Sequence, residues 1–208
     1  MFRVIVSLAA VAMLAGCTTH LKPESNLQPG FRTPIQGATV QVVADPTFQS
    51  LVIKQRPSFG TSWKAHTFVV PVGRPVMQSI ASQTRAIVPA ARIGDRDDGM
   101  KTDVMVAPRS LTLSFGVDDA KATGLIGALG VLGAGTKAEI IATATLTSEI
   151  RSGQSAKAVT VTGESSKTVI YLGISTDDLS EAIGAALDDA AAKLVASVET
   201  DLRNSVRP

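Results

Sequence analysis

The chain has 208 residues, 45% hydrophobic and only 4% aromatic, and its 20 Lys and Arg stand against 18 Asp and Glu for a formal charge of +2. That near-balance gives no electrostatic footprint for nucleic acid, and a single Trp63 and a single Tyr171 leave few stacking platforms for sugars or single strands. One cysteine and two histidines, His20 and His66, exclude an internal disulfide and a two-His metal site within the domain, so no metal or cofactor is expected.

Residues 1–16 read MFRVIVSLAAVAMLAG: a basic Arg3, an apolar core from Val4 to Leu14 broken only by Ser7, then small residues. This is the layout of a secretory signal. As a membrane-spanning helix, Val4 to Gly16 would rise only about 20 Å against a hydrocarbon core of roughly 30 Å. The stretch Leu14, Ala15, Gly16, Cys17 resembles the lipobox of bacterial lipoproteins. That resemblance implies cleavage between Gly16 and Cys17, a thioether-linked diacylglycerol on Cys17 and a third acyl chain on its amine. Two chains already suffice for stable anchoring. Cleavage leaves 192 residues at a formal charge of +1, enough for one domain with its own core. Thr18, in place of an aspartate after the anchor, implies sorting to the outer membrane.

Thr18 to Gly37 carries Pro23, Pro29 and Pro34 among polar residues, and is expected to be a flexible tether reaching up to about 60 Å. Residues 38–208 are expected to form one periplasmic domain. Apolar runs at 38–45, 51–53 and 66–72 read as strands, with a turn at Asp45-Pro46. A helix follows between Pro75 and Pro89, with Val76, Ile80, Ala81, Thr84, Ile87 and Val88 as its inward stripe. RSLTLSFGV puts Leu111, Leu113 and Phe115 on one side of a strand; KAEIIATATLTSEI (137–150), the turn RSGQS and the returning AKAVTVTGESSKTV make a meander. A long helix closes the chain, started by Ser175 and Asp178 and lined by Leu179, Ile183, Leu187, Ala190, Leu194, Val198 and Leu202. Gly184 and many alanines suit close approach to the sheet. The expected class is α+β, in the order β-β-α-β-β-β-α: an antiparallel sheet with two helices packed on one face.

With GTKAEIIATATLTS (135–148) and the terminal helix in place, the chain resembles the YajG family of small bacterial lipoproteins. The resemblance covers roughly residues 38–203 and includes no catalytic motif. It implies a β-rich sheet with flanking helices, similar in outline to auxiliary lipoproteins of ABC-type transport systems, and a non-enzymatic role in the envelope. The long stretch between Phe48 and Val72 and a Gly-rich insertion depart from the family's pattern.

That insertion, ATGLIGALGVLGAGT (122–136), has no charge between Lys121 and Lys137. As an isolated helix its five glycines would lose about 5 kcal/mol relative to alanine. It either packs against the sheet or meets membrane, a neighbouring subunit or a partner, through Gly124, Leu125, Ile126, Gly127, Leu129, Gly130, Leu132 and Gly133. The acids Asp95, Asp97, Asp98 and Asp103 depart from an EF-hand and read as a solvated turn. A Ser/His/Asp hydrolase would rest on His66 but lacks a G-x-S-x-G elbow. Glu139, Glu149 and Glu164 lie on or near the meander and are the carboxylates a glycosidase-like pairing would draw on, though alternating strand positions more often put such acids in solvent.

No enzyme is expected. The leading expectation is an outer-membrane-anchored scaffold or accessory subunit of an envelope complex, held by its lipid anchor and contacting a protein partner, with no nucleic acid. The alternatives are a lipid- or ligand-binding auxiliary lipoprotein of an ABC-type system, with a cavity lined by Leu111, Leu113, Phe115 and Ile140, and a ring-forming homo-oligomeric envelope or secretion subunit using residues 122–136.

Overall fold

A computed structural model describes residues 17–25, 32–43, 45–57, 63, 66–94, 96–97, 99–118 and 136–205. The protein is α+β, as expected, with the helical and meander signals realised close to their sequence positions. The five-stranded sheet has the order β5-β2-β6-β7-β8, and a second, three-stranded sheet the order β1-β4-β3. In chain order these are β1 (Cys17–His20), β2 (Val40–Val43), β3 (Val52–Gln55), β4 (His66–Pro71), β5 (Arg92–Gly94), β6 (Val104–Asp118), β7 (Lys137–Ser152) and β8 (Ser155–Ile170). The helices are α1 (Pro46–Gln49), α2 (Gly73–Ile87) and α3 (Thr176–Ser205), the last preceded by a 3-10 turn at Tyr171–Gly173.

The meander follows from strict alternation. In β7 the inward Ala138, Ile140, Ala142, Ala144, Leu146 and Ile150 are buried, whereas the outward positions are Thr, Ile, Glu, Lys and Arg. β8 returns antiparallel through the two-residue turn Gly153-Gln154, where Gly153 takes φ +57°, a backbone that glycine supplies without strain. β6 shows a local adjustment. Val104 and Val106 face inward at its start and Leu111 and Phe115 further on, a change of parity that alternation alone forbids. A register shift between Pro108 and Ser110 absorbs it, and Pro108, lacking an N–H, sits at that irregularity.

The expected all-antiparallel sheet needs correction. β2 pairs parallel with both β5 and β6. Parallel neighbours need a long crossover, and the chain supplies one: α1, β3, β4 and α2 all lie between β2 and β5. β3 and β4 pair antiparallel in the second sheet, which accounts for the stretch between Phe48 and Val72.

The tether also needs correction over its described residues. Cys17–His20 forms a strand parallel to β4, and the Leu21 N–H donates to the Val69 carbonyl at 3.0 Å. Leu21 is 1% exposed. Lys22 N–H donates to Ser180 Oγ (3.1 Å), the Ser25 hydroxyl to Asp188 Oδ1 (2.7 Å), Arg32 to Glu199 (3.2 Å) and Ile35 N–H to the Ile87 carbonyl (2.8 Å). Alternating Leu21 and Pro23 bury their side chains against the body, which a polar, Pro-rich composition conceals.

α3 covers the inner face of β7 and β8 and packs along α2. Its expected stripe is buried throughout, with Ala182, Ala186 and Ala191 added. A Cβ built on Gly163, in the middle of β8, would lie 2.2 Å from the Ala186 carbonyl oxygen and 2.2 Å from the Ala190 nitrogen, so helix and strand meet backbone to backbone there. Around this contact α3 also satisfies the strand's backbone: Asp189 accepts from Glu164 N–H (3.0 Å) and Lys193 donates to the Thr162 carbonyl (2.8 Å). Gly184 meets the Glu24 carbonyl instead, on the side of residues 17–25, rather than the sheet.

The start of α3 is capped as its sequence demands. Ser175 Oγ accepts from Asp178 N–H (3.1 Å), and Asp178 Oδ2 accepts from Ser175 N–H (3.0 Å). Lys167, then Ser175, hold the Asp178 carboxyl down to about 2 from 3.8. A depressed folded-state value contributes stability that is present above pH 3.8 and is lost as the pH falls through about 2. Asp178→Asn is therefore expected to lower stability by about 1 kcal/mol at neutral pH, after allowing for solvent screening, with the gap from the parent closing between pH 4 and about 2. Urea unfolding of both proteins across that range measures it; a gap independent of pH contradicts the assignment.

Candidate functional site

Cys17 is exposed and opens β1, with His66 as its partner across the strand pair. Its surroundings are built by β4. Thr19 Oγ1 lies 2.7 Å from His66 Nδ1, and the His66 N–H donates to the Trp63 carbonyl at 2.8 Å. The Trp63 ring packs edge-on to His66 (5.3 Å between centroids) and against Phe68 (5.5 Å), which in turn meets Phe115 (5.6 Å). His66 thus joins β1 to an aromatic row. Ser180 and Asp188 of α3 hold the chain that follows β1.

Gly16 lies outside the described residues. So do Gly124, Leu125, Ile126, Gly127, Leu129, Gly130, Leu132 and Gly133. The last described residue before them, Asp118, pairs with Glu139, two residues after the start of β7 at Lys137.

The candidate carboxylates are not brought together. On the outer sheet face Glu139 stands opposite Thr168 and Glu164 opposite Thr143, four residues along the strand, or about 13 Å. Glu149 is a further six residues from Thr143, about 20 Å. Glycosidase pairs stand about 5 to 9.5 Å apart. Two of these acids also have other employment. Glu139 accepts from the Ser166 hydroxyl, and Glu149 bridges Arg151 and Arg109, which hold its carboxyl below the ordinary value in that order of strength. Asp103 accepts from both Thr39 N–H and Thr39 Oγ1 at 2.7 Å, which ties the loop before β6 to the approach of β2. Asp97 accepts from Gly99 N–H at 2.9 Å, where Gly99 turns at φ +68°; Asp95 and Asp98 lie outside the described residues. Among the described residues no group of three or more His, Cys, Asp or Glu is placed to hold a metal ion.

Leu111, Phe115 and Ile140, expected to line a cavity, are 6%, 3% and 0% exposed and belong to the continuous core, with Leu113 packed against it. Surface depressions lie elsewhere. One of about 380 Å³ lies between the β7–β8 turn and the end of α3, lined by Ser152, Ser155, Lys157, Asp201 and Asn204 with Ile150 beneath, and the Lys157–Asp201 ion pair (2.7 Å) crosses it.

Two features were missed from sequence. One is the polar cluster of Ser25, Ser79, Gln83 and Asp188 at the junction of the N-terminal segment, α2 and α3, where Gln83 Nε2 donates to Ser79 Oγ (3.1 Å) and to the Asp188 carbonyl (3.2 Å). Its only sequence signal is polar residues inside apolar helical stripes. The other is exposed Ile170 and Leu172 at the end of β8, signalled by apolar residues at a strand end followed by glycine.

No family model matches the chain, and no curated protein matches it. Among solved structures it is similar to that of protein XCC0632 from Xanthomonas campestris, of family DUF330, at 14% identity and a TM-score of 0.46, covering 90% of this chain and 97% of that one. It is also similar to an uncharacterised protein, at 9% identity and a TM-score of 0.33, covering 86% of this chain and 99% of the other.

Proposed function

We propose that the chain is a lipoprotein of the bacterial cell envelope, acylated at Cys17, held on the periplasmic side of the outer membrane and acting as a non-enzymatic scaffold or accessory subunit of an envelope complex. The observation that carries this reading is LAGC, residues 14–17, closing an apolar run of signal-peptide length. Supporting it, the first described strand begins at the same cysteine, so cleavage before Cys17 leaves that strand whole. The resemblance of residues 135–148 and of the terminal helix to YajG-type lipoproteins fits the same role. Among the described residues no helix is long and apolar enough to cross a membrane.

Acyl chains add about 0.8 kcal/mol of membrane affinity per buried methylene, so three chains make release negligible whatever the ionic strength. Cys17→Ser is expected to move the protein from the membrane fraction to the soluble fraction, while the parent stays in the membrane through high-salt washing. Retention of the serine variant in washed membranes contradicts the proposal.

A further inference from the structure

The position of Cys17 in the fold says how the body is held. Two sets of contacts fix its level. Gln55 of β3 pairs with Phe68 of β4 and donates through Nε2 to the Phe115 carbonyl at 2.8 Å; two residues back along β4, His66 pairs with Cys17. Three residues beyond Phe115, β6 ends at Asp118, opposite Glu139 near the start of β7, and Lys137 pairs with Ile170 at the end of β8. Independently, Lys22 meets Ser180 and Ser25 meets Asp188, so this segment runs alongside α3 in the same direction. Cys17, five residues before Lys22 or about 16 Å of extended chain, thus lies beyond the N-terminus of α3, where the Tyr171–Gly173 turn sits.

One end of the molecule therefore gathers Cys17, Trp63, Ile170 and Leu172. Leu172 is 68% exposed and Ile170 55%. Charge at this end is mixed, Arg56 and Lys137 against Asp118 and Glu139, so it has no one-signed patch for headgroups. The apolar stretch of residues 4–14 precedes this point of the fold in sequence, and Cys17 is itself the first residue of β1 (Cys17–His20), with no spacer between the cysteine and the strand.

We propose that this end rests on the lipid bilayer, with Leu172 and Ile170 entering the interface beside the acyl chains, so that the domain stands on the membrane rather than swinging from it. This rests on acylation of Cys17. A membrane-held group enters at the body's edge, and exposed aliphatic side chains lie at that same edge, where a bilayer covers them and water does not. Because the contact is apolar, it is insensitive to the anionic lipid content.

The test uses the thioether at Cys17, which leaves the acylated chain without a thiol. Leu172→Cys and Met100→Cys each then carry one nitroxide label; Met100 is 59% exposed and precedes the start of β6, the opposite end of the sheet from Asp118. The acylated proteins are reconstituted in phosphatidylethanolamine vesicles with and without phosphatidylglycerol, and label collisions are compared for oxygen, enriched in the bilayer, and a water-soluble nickel chelate. The expected result is a several-fold higher oxygen-to-nickel ratio at residue 172 than at residue 100 in both vesicle types. Equal, water-like ratios overturn the proposal, and so does shielding of residue 172 from both reagents, which places protein there. The mass of the same preparation separates the two readings. Water-like labels on acylated protein remove the docking alone, whereas an unmodified Cys17 removes both.

Discussion

Gly163→Ala is expected to destabilise the protein by about 3 kcal/mol or more, a large share of the roughly 5 to 15 kcal/mol that holds a domain together. The added carbon has no flexible side chain to push aside: its nearest neighbours are the Ala186 carbonyl oxygen, the Ala190 nitrogen and the Ala190 Cα at 2.8 Å, all helix backbone. Relief requires lifting α3 from the sheet, which loosens Leu187, Leu194 and Val198 as well as the Asp189 and Lys193 contacts to β8. Gly116, in β6, is the control. A Cβ there meets nothing within 4 Å, so Gly116→Ala is expected to be neutral or mildly stabilising. Urea unfolding of the two variants measures the difference, and equal midpoints contradict the backbone-to-backbone contact.

Leu21→Ala is expected to cost about 3 kcal/mol, within the range for removing a buried leucine side chain. The residue lies just beyond β1, 1% exposed, in the continuous core. A leucine in a free tether would lose nothing on truncation. Thermal unfolding of the variant thus decides whether the N-terminal segment belongs to the body: an unchanged transition returns residues 17–25 to the role of a leash and removes the basis for a fixed stance on the membrane.

What was legible in the sequence was local and periodic. The alternation from Ala138 to Ile150 gives β7 its buried face, the spacing from Leu179 to Leu202 gives α3, and Ser175 with Asp178 marks the helix start, because each signal lies within a few residues of what it determines. The parallel pairing of β2 with β5 and β6 was not legible, since three- and four-residue strands carry little pattern and their partners lie some fifty or more residues away. The N-terminal segment was misread because only Leu21 and Pro23 alternate inward, too short a run against three prolines and a polar composition. Gly184 was expected at the close approach of helix and sheet, but the glycine at that contact is Gly163 of β8, and Gly184 meets Glu24 instead.

The candidate site divides in the same way. Cys17 stands out as a short motif behind an apolar run, whereas its proximity to Leu172, 155 residues later, depends on two sheets and a helix being assembled first. The carboxylates Glu139, Glu149 and Glu164 looked like a group in sequence; strand geometry spreads them along one face by about 13 Å or more.

A compact body joined to a bilayer through Cys17, with no leash between them, is tested most directly by the mass of the N-terminal peptide of protein extracted from native membranes. The account predicts that this peptide begins at Cys17 and carries a diacylglyceryl group on sulfur with a further acyl chain on the amine. A peptide that begins elsewhere, or one that begins at Cys17 with a free thiol, contradicts it.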